Sequence, residues 1–358
     1  MARQKQKQKK WQVYFDLNAP RKGGPRKQRP GRELPIRLAF SWGGAEWRIP
    51  AVYVCAQGLV VDFVRRVPAG RIQDFMDRWE LRPDSDRDDF TREEQMRIDS
   101  ENPLTFDFSP ALLLNGRSLR RSHGSGVCWV PLPGCHDPDC LPLLEHYGLD
   151  PADGWYFWRY NFPWKTERKP PIRSLAVCME ADRVSLPGPR IKVQREGDSF
   201  PFTGLDGTAH TLTVHTYAHE TLPRGTFQDE DFLYPDHCVT LDYTIEPPLP
   251  RSSFHLMDCS EGDRPRRVKK ADPYEPERAL SAAVCACSTE PDIPEAAQTG
   301  IIGSADGPIA VIVASPQNAA KSHMHRDVSS LYFETPEAIE WLMVFRKLPC
   351  EPIKKKLL

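Results

Sequence analysis

Cys128, Cys135, Cys140 and His146 are the densest set of thiol and imidazole groups in the 358-residue chain, with His136 and Asp137 between them. Thiolate sulfur and imidazole nitrogen arranged as a tetrahedron are the chemistry of zinc. The intervals here are six, four and five intervening residues, whereas zinc modules usually pair ligands about two to four residues apart. The four residues are therefore carried forward as a candidate zinc set of non-standard spacing. His210, His215 and His219 form a second group. On a strand the last two share a face, yet their rings stand about 13 Å apart, too far to ligate one ion without a bend. His323 and His325, between Lys321 and Arg326, read as a solvated loop. Asp306 lies between Ala305 and Gly307-Pro308, in a run whose small residues let a backbone approach an ion closely. The chain has no G-x-S-x-G elbow, P-loop or G-x-G-x-x-G turn, so no catalytic residues are assigned.

The elements that must hold these groups are short. LPIRLAFSW, EWRIPAVYV and GLVVDFVRRV read as three strands of an antiparallel meander, separated by Gly43-Gly44 and Gln57-Gly58. Ile72, Phe75, Met76 and Trp79 recur at helical spacing, which predicts one helix with all four on its buried face. A second short helix is expected around Thr91 to Asp99. The aromatic run from Trp155 to Trp164 reads as core. Leu175 to Met179, Arg190 to Gln194, Ala209 to Tyr217 and Cys238 to Ile245 add strand candidates. WQVYFDL, Trp11 to Leu17, alternates like a strand inside an otherwise basic arm. The expected fold class is α+β and mainly β, with antiparallel sheets forming a sandwich or open barrel and one or two short helices. The expected division is a basic flexible arm over 1–33, a strand-rich unit over 34–150 and a β-rich unit over 151–258. A linker over 259–298 and a carboxy-terminal segment over 299–358, packing on the body, complete it.

Thr299 to Ala314 reads TGIIGSADGPIAVIVA. This stretch resembles the sodium-binding segment of the beta subunit of sodium-translocating carboxylic acid decarboxylases, the oxaloacetate decarboxylase type. The resemblance implies sodium binding at Asp306. Ile309 stands where that family usually carries a hydroxyl residue, which removes one potential oxygen ligand. The tail, with SSLYFETPEAIEWLMVFRK, also resembles a group of uncharacterised soluble bacterial proteins that carry a GIIGxADGP segment, and that resemblance implies no activity. The same residues alone read as strand, Asp-Gly-Pro turn, strand.

Composition narrows the function classes. The apolar run Ile301–Ala314 contains Asp306, two glycines and a proline, and it falls short of the about 20 residues a spanning helix needs. The amino terminus has no apolar stretch of the signal-peptide kind, so the expectation is a soluble cytoplasmic protein with reduced thiols. The net charge of −1 hides an asymmetry, since residues 1–32 carry eleven Lys or Arg against Asp16 alone, or +10, leaving −11 for the rest. Such an arm suits nucleic acid through phosphate neutralisation. The reading of the whole is a non-catalytic binding or interaction module for an unidentified protein partner or small ligand. The alternatives are a soluble accessory or relic of a sodium-dependent decarboxylase system, and a nucleic-acid binder acting through residues 1–32. No cofactor is required by the sequence.

Overall fold

The computed structural model describes residues 11–15, 29–82, 85–133, 135, 140–166, 169–223, 226–227, 232–260, 262–267, 282–284, 300–302, 309–312 and 324–358. The chain forms two compact units, Met1–Val184 with Leu348–Leu358, and Ser185–Lys347. The expected boundary between residues 150 and 151 is thus displaced to residue 184. The reason is topological: the strand at Gly154–Pro163, assigned by position to the second unit, is a central strand of the first unit's larger sheet. The carboxy-terminal segment is likewise divided, its last eleven residues belonging to the first unit.

In the first unit, β1 (Arg32–Trp42), β2 (Ala45–Val54) and β3 (Gly58–Val67) form the expected meander. Gly43 and Gly44 make its first turn at φ of 56° and 71°, a region costly for a residue with a Cβ. Helices α1 (Ala69–Arg78) and α2 (Arg92–Glu101) follow. Helix α2 starts with a capping box, in which Thr91 accepts from the Glu94 amide and Glu94 accepts in return from the Thr91 amide. Then come β4 (Phe108–Leu114), β5 (Arg117–Arg120), β6 (His123–Trp129), α3 (Leu141–Tyr147), β7 (Gly154–Pro163) and β8 (Leu175–Ala181). One sheet runs β1-β2-β3-β7-β6, and a second runs β5-β4-β8 and then Ile353–Lys356, the last strand of the chain.

Alternation along these strands separates two faces. Trp47, Ile49, Val61, Phe63, Trp158 and Phe162 meet Phe108, Leu112, Val177 and Met179 of the other sheet in one apolar cluster. Its centre is aromatic, with Trp47 stacked on Trp158 at 5.2 Å and Phe108 edge-on to both. The opposite face of the five-stranded sheet, bearing Tyr53, Asp62, Arg159 and Asn161, holds the candidate site.

Helix α1 follows the sequence expectation with two corrections, the first being that Met76 is only half-buried. Ile72 and Phe75 are buried, but Trp79 is the C-cap residue and half-buried, its indole N–H donating to Glu101 at 3.1 Å. The helical period places Trp79 on the apolar face, but the helix ends one residue before it. Replacing Trp79 by Ala therefore removes a hydrogen bond and some packing, and should cost about 1 kcal/mol, not the 3 to 5 of a buried tryptophan. A urea midpoint for Trp79→Ala corresponding to more than about 3 kcal/mol would contradict this placement.

The second unit carries β9 (Val184–Val193), β10 (Ser199–Thr203), β11 (Ala209–Thr221), β12 (Phe232–Leu233), β13 (His237–Glu246), β14 (Phe254–Asp258) and β15 (Arg266–Arg267). It continues with β16 (Ala282–Val284), β17 (Gly300–Ile302), β18 (Ile309–Ile312), β19 (His325–Val328) and β20 (Ile339–Lys347), and β21 is the Ile353–Lys356 strand of the first unit. The sheets β10-β11-β13-β19 and β14-β20-β9 enclose Val193, Leu212, Val239, Tyr243, Phe254, Trp341 and Met343. Among the described residues the fold is mainly antiparallel β in open sheets with three α-helices, as the α+β reading expects. No helix among them is long and apolar enough to cross a membrane.

Candidate functional site

Row by row across the five-stranded sheet, register places Glu33, Tyr53, Val60, Asn161 and His123 side by side on one face. The adjoining row holds Asp62, Arg159 and Ser125. Helix α3 lies on the same side, entered with Pro142 in its first turn and closed by Gly148 in the left-handed region at φ 60°. It delivers His146 and Tyr147 to this face. These elements gather a connected polar network that no short motif spells out.

Asp62 is its centre. The carboxylate accepts both arms of the Arg159 guanidinium, Nε at 2.7 Å and Nη2 at 2.6 Å, and the Tyr147 hydroxyl at 2.5 Å. Tyr147 and Tyr53 share a hydroxyl contact of 2.7 Å. The indole N–H of Trp11 donates to the Tyr53 hydroxyl at 2.9 Å. His146 Nε2 lies 3.2 Å from Glu33 and 3.5 Å from the Tyr53 hydroxyl, and its ring stacks on Trp11 at 4.6 Å. Burial is the first cause lifting both tyrosine hydroxyls above their ordinary range, and the negative charge of Asp62 adds to it. Burial alone would depress Arg159, but the attraction of Asp62 more than offsets it and holds the guanidinium firmly charged. The tyrosines thus stay protonated donors and the ion pair stays closed, which is the electrostatics of a positioning network.

The network sits beneath an extended piece of the amino-terminal arm. Trp11, Val13 and Phe15 alternate toward the sheet, as period two requires. Trp11 lies over His146 and within 5.5 Å of the Arg159 guanidinium. Val13 is 1% exposed among Ala51, Tyr53, Cys55 and Val60, and its carbonyl accepts the Gly31 amide at 2.8 Å. Phe15 lies edge-on to His123, over Gly58, where a Cβ would meet its ring at 2.4 Å. Its carbonyl accepts from Asn161 Nδ2. Cys55, beside Val13, has its thiol pushed up to about 11 by burial. The expectation of a solvated flexible arm over 1–33 is therefore corrected at Trp11–Phe15: alternating large apolar side chains have a complementary face to bury against.

The other sequence candidates are dispersed. Cys128 lies on β6, Cys140 precedes α3 in a cluster with Val64, Trp129 and Leu144, and His146 turns away to Glu33 and Trp11. Cys135 is half-buried, and His136 and Asp137 lie outside the described residues. Among the described residues no group of three or more His, Cys, Asp or Glu side chains could hold a metal ion, so the four zinc candidates are not brought together. His210 is buried against Phe202, His215 is exposed beside Thr244 on the other face of β11, and His219 is exposed opposite Val239, past a register shift between Val214 and Thr216 that breaks the shared face expected for the last two. His325 corrects the solvated-loop reading: it is 5% exposed on β19, stacked on Tyr243 at 5.1 Å. Its neighbour His323 lies outside the described residues, as does Asp306, although the flanking β17 and β18 pair antiparallel, Ile301 opposite Val311.

Asp62, Arg159, Tyr53, Tyr147 and Asn161 were not singled out from the sequence. The one available signal was the W-x-V-x-F alternation of residues 11–15, which announced a segment that needs a face. No protein-family model, curated protein or solved structure matches the chain.

Proposed function

We propose that the outer face of the five-stranded sheet is a recognition groove for an extended segment bearing large apolar side chains at alternate positions. On this reading the chain is a non-catalytic binding module. The observation that carries the proposal is the seating of Trp11, Val13 and Phe15, each met by a different part of the face: the His146, Tyr53 and Arg159 end, the Ala51 and Val60 floor, and the Gly58, His123 and Asn161 end. Stacking, an indole hydrogen bond and a buried β-branched anchor are the contacts by which grooves hold extended peptides. The segment already in place is the chain's own, so an outside partner competes with an intramolecular one. A short tether gives the internal segment an effective concentration of about millimolar order.

The test is direct binding of a fluorophore-labelled peptide, KWQVYFD, to the full-length chain and to its Trp11→Ala/Val13→Ser variant, followed by anisotropy. The variant, its internal segment weakened, should bind the peptide at least about tenfold more tightly than the unaltered chain. A peptide of the same composition in which the apolar residues no longer alternate should not bind. A variant with an unchanged circular dichroism spectrum that ignores both peptides would refute the groove.

A further inference from the structure

We infer that Asn161 is the residue by which this groove reads the main chain of its ligand, a specificity element resting on the recognition reading above. Asn161 is fully buried on β7, between Val60 of β3 and His123 of β6. Its Nδ2 donates to the Phe15 carbonyl and to His123 Nε2, the latter at 2.8 Å. The Phe15 carbonyl fixes which end of the side chain is the NH2, because an amide oxygen there would face another acceptor. His123 Nε2 then accepts, which places the ring proton on Nδ1, facing the Ser122 hydroxyl at 3.1 Å. The carboxamide is thus held from behind and its orientation is set. Its Oδ1, buried, accepts no hydrogen bond among the described residues.

A buried carbonyl oxygen without a donor is an exception that calls for a reason. In an extended chain the N–H and C=O of one residue point to the same side, which is why paired residues in an antiparallel ladder exchange two bonds. A carboxamide offers the same donor and acceptor in one plane. Asn161 is therefore matched to both main-chain groups of a single extended residue, and the chain's own segment uses only the C=O half at Phe15. A partner segment in regular β conformation at that position fills both. Recognition by Asn161 is indifferent to side-chain identity and strict about backbone: it demands an amide N–H, which excludes proline and any N-substituted residue at the position equivalent to Phe15.

The experiment uses the full-length Trp11→Ala/Val13→Ser chain and three labelled peptides: KWQVYFD, which as a free peptide can take the regular β conformation through its Phe, the same peptide N-methylated at its Phe, and the same peptide N-methylated at its Tyr, whose N–H leaves an extended chain on the side opposite to that of Phe. Methylation at Phe should weaken binding about tenfold and methylation at Tyr about twofold or less. Adding Asn161→Ala should abolish the difference between the two methylated peptides. Equal affinities of all three peptides for the opened chain would overturn the role of Asn161 while leaving the groove standing. Failure of the unmethylated peptide to bind would overturn the groove itself and the inference with it.

Discussion

Asp62→Ala should destabilise the first unit by about 3 to 5 kcal/mol, the cost of removing one partner of a buried ion pair. The carboxylate is 4% exposed and its guanidinium partner 20%, so water cannot replace what is lost. Three donors converge on Asp62, two from Arg159 and one from Tyr147, and each would be left aimed at a space the alanine methyl does not fill. The consequence extends to the groove, because Tyr147 orients the Tyr53 hydroxyl, and Tyr53 receives the Trp11 indole. Asp62→Ala should therefore free Trp11 as well as lower the denaturation midpoint. Arg159→Met in the same background should cost less than it does alone, because the charge it would strand is already gone. Guanidinium unfolding of the single and double variants measures all three quantities. A midpoint shift for Asp62→Ala equivalent to less than about 1 kcal/mol would show the pair to be bystanders.

The difference between what the sequence announces and what it conceals follows from the range of the interactions. The meander β1-β2-β3 is legible because its signals are local: alternating side chains and a Gly43-Gly44 turn, one of the few residue pairs that adopt two successive positive φ values cheaply. The capping box of α2 is local too, Thr91 answering Glu94 three residues on. The Asp62–Arg159 pair spans 97 positions, and its partners become neighbours only because β3 and β7 lie side by side, an adjacency that no window of a dozen residues contains. GLVVDFVRRV reads as a strand whether or not Asp62 has a partner, so the strand pattern gives no sign of the pair. His146 was visible as a possible ligand, but sequence distance grouped it with Cys140 six positions away, whereas the helix turns those two side chains in different directions, Cys140 into the Leu144 cluster and His146 to Trp11. Trp79 failed for the opposite reason. A purely periodic argument extends a stripe until the pattern ends, and the helix ended first.

Asp327 gives the second unit a pH dependence opposite to that of its histidines, and the difference should be measurable. The carboxyl is buried between β13 and β14, accepting the Tyr243 hydroxyl at 2.6 Å and the Leu256 amide at 2.6 Å. Burial raises its pKa to about 6, and those two bonds hold the rise in check. A carboxyl raised above its unfolded value stabilises the fold below about pH 4 and loses that contribution as the pH climbs through 6. Burial, assisted by Arg251, lowers His325 to about 4, and burial beside Arg346 does the same for His255. Those two contribute above about pH 6.5 and lose their contribution as the pH falls toward 4. In the unaltered chain the opposing slopes overlap between about pH 4 and 6.5 and partly cancel. Asp327→Asn keeps an oxygen for Tyr243 and Leu256 and has no proton to lose, so only the histidine slope remains. Between pH 4 and pH 7 the stability of the variant relative to the unaltered chain should rise by about 3 kcal/mol, as a shift of about two pKa units requires. Hydrogen exchange at the β13 amides reads this unit separately from the first. A difference between the two proteins that stays constant across that range would mean that Asp327 is ionised in the fold at an ordinary pKa, its two hydrogen bonds outweighing its burial.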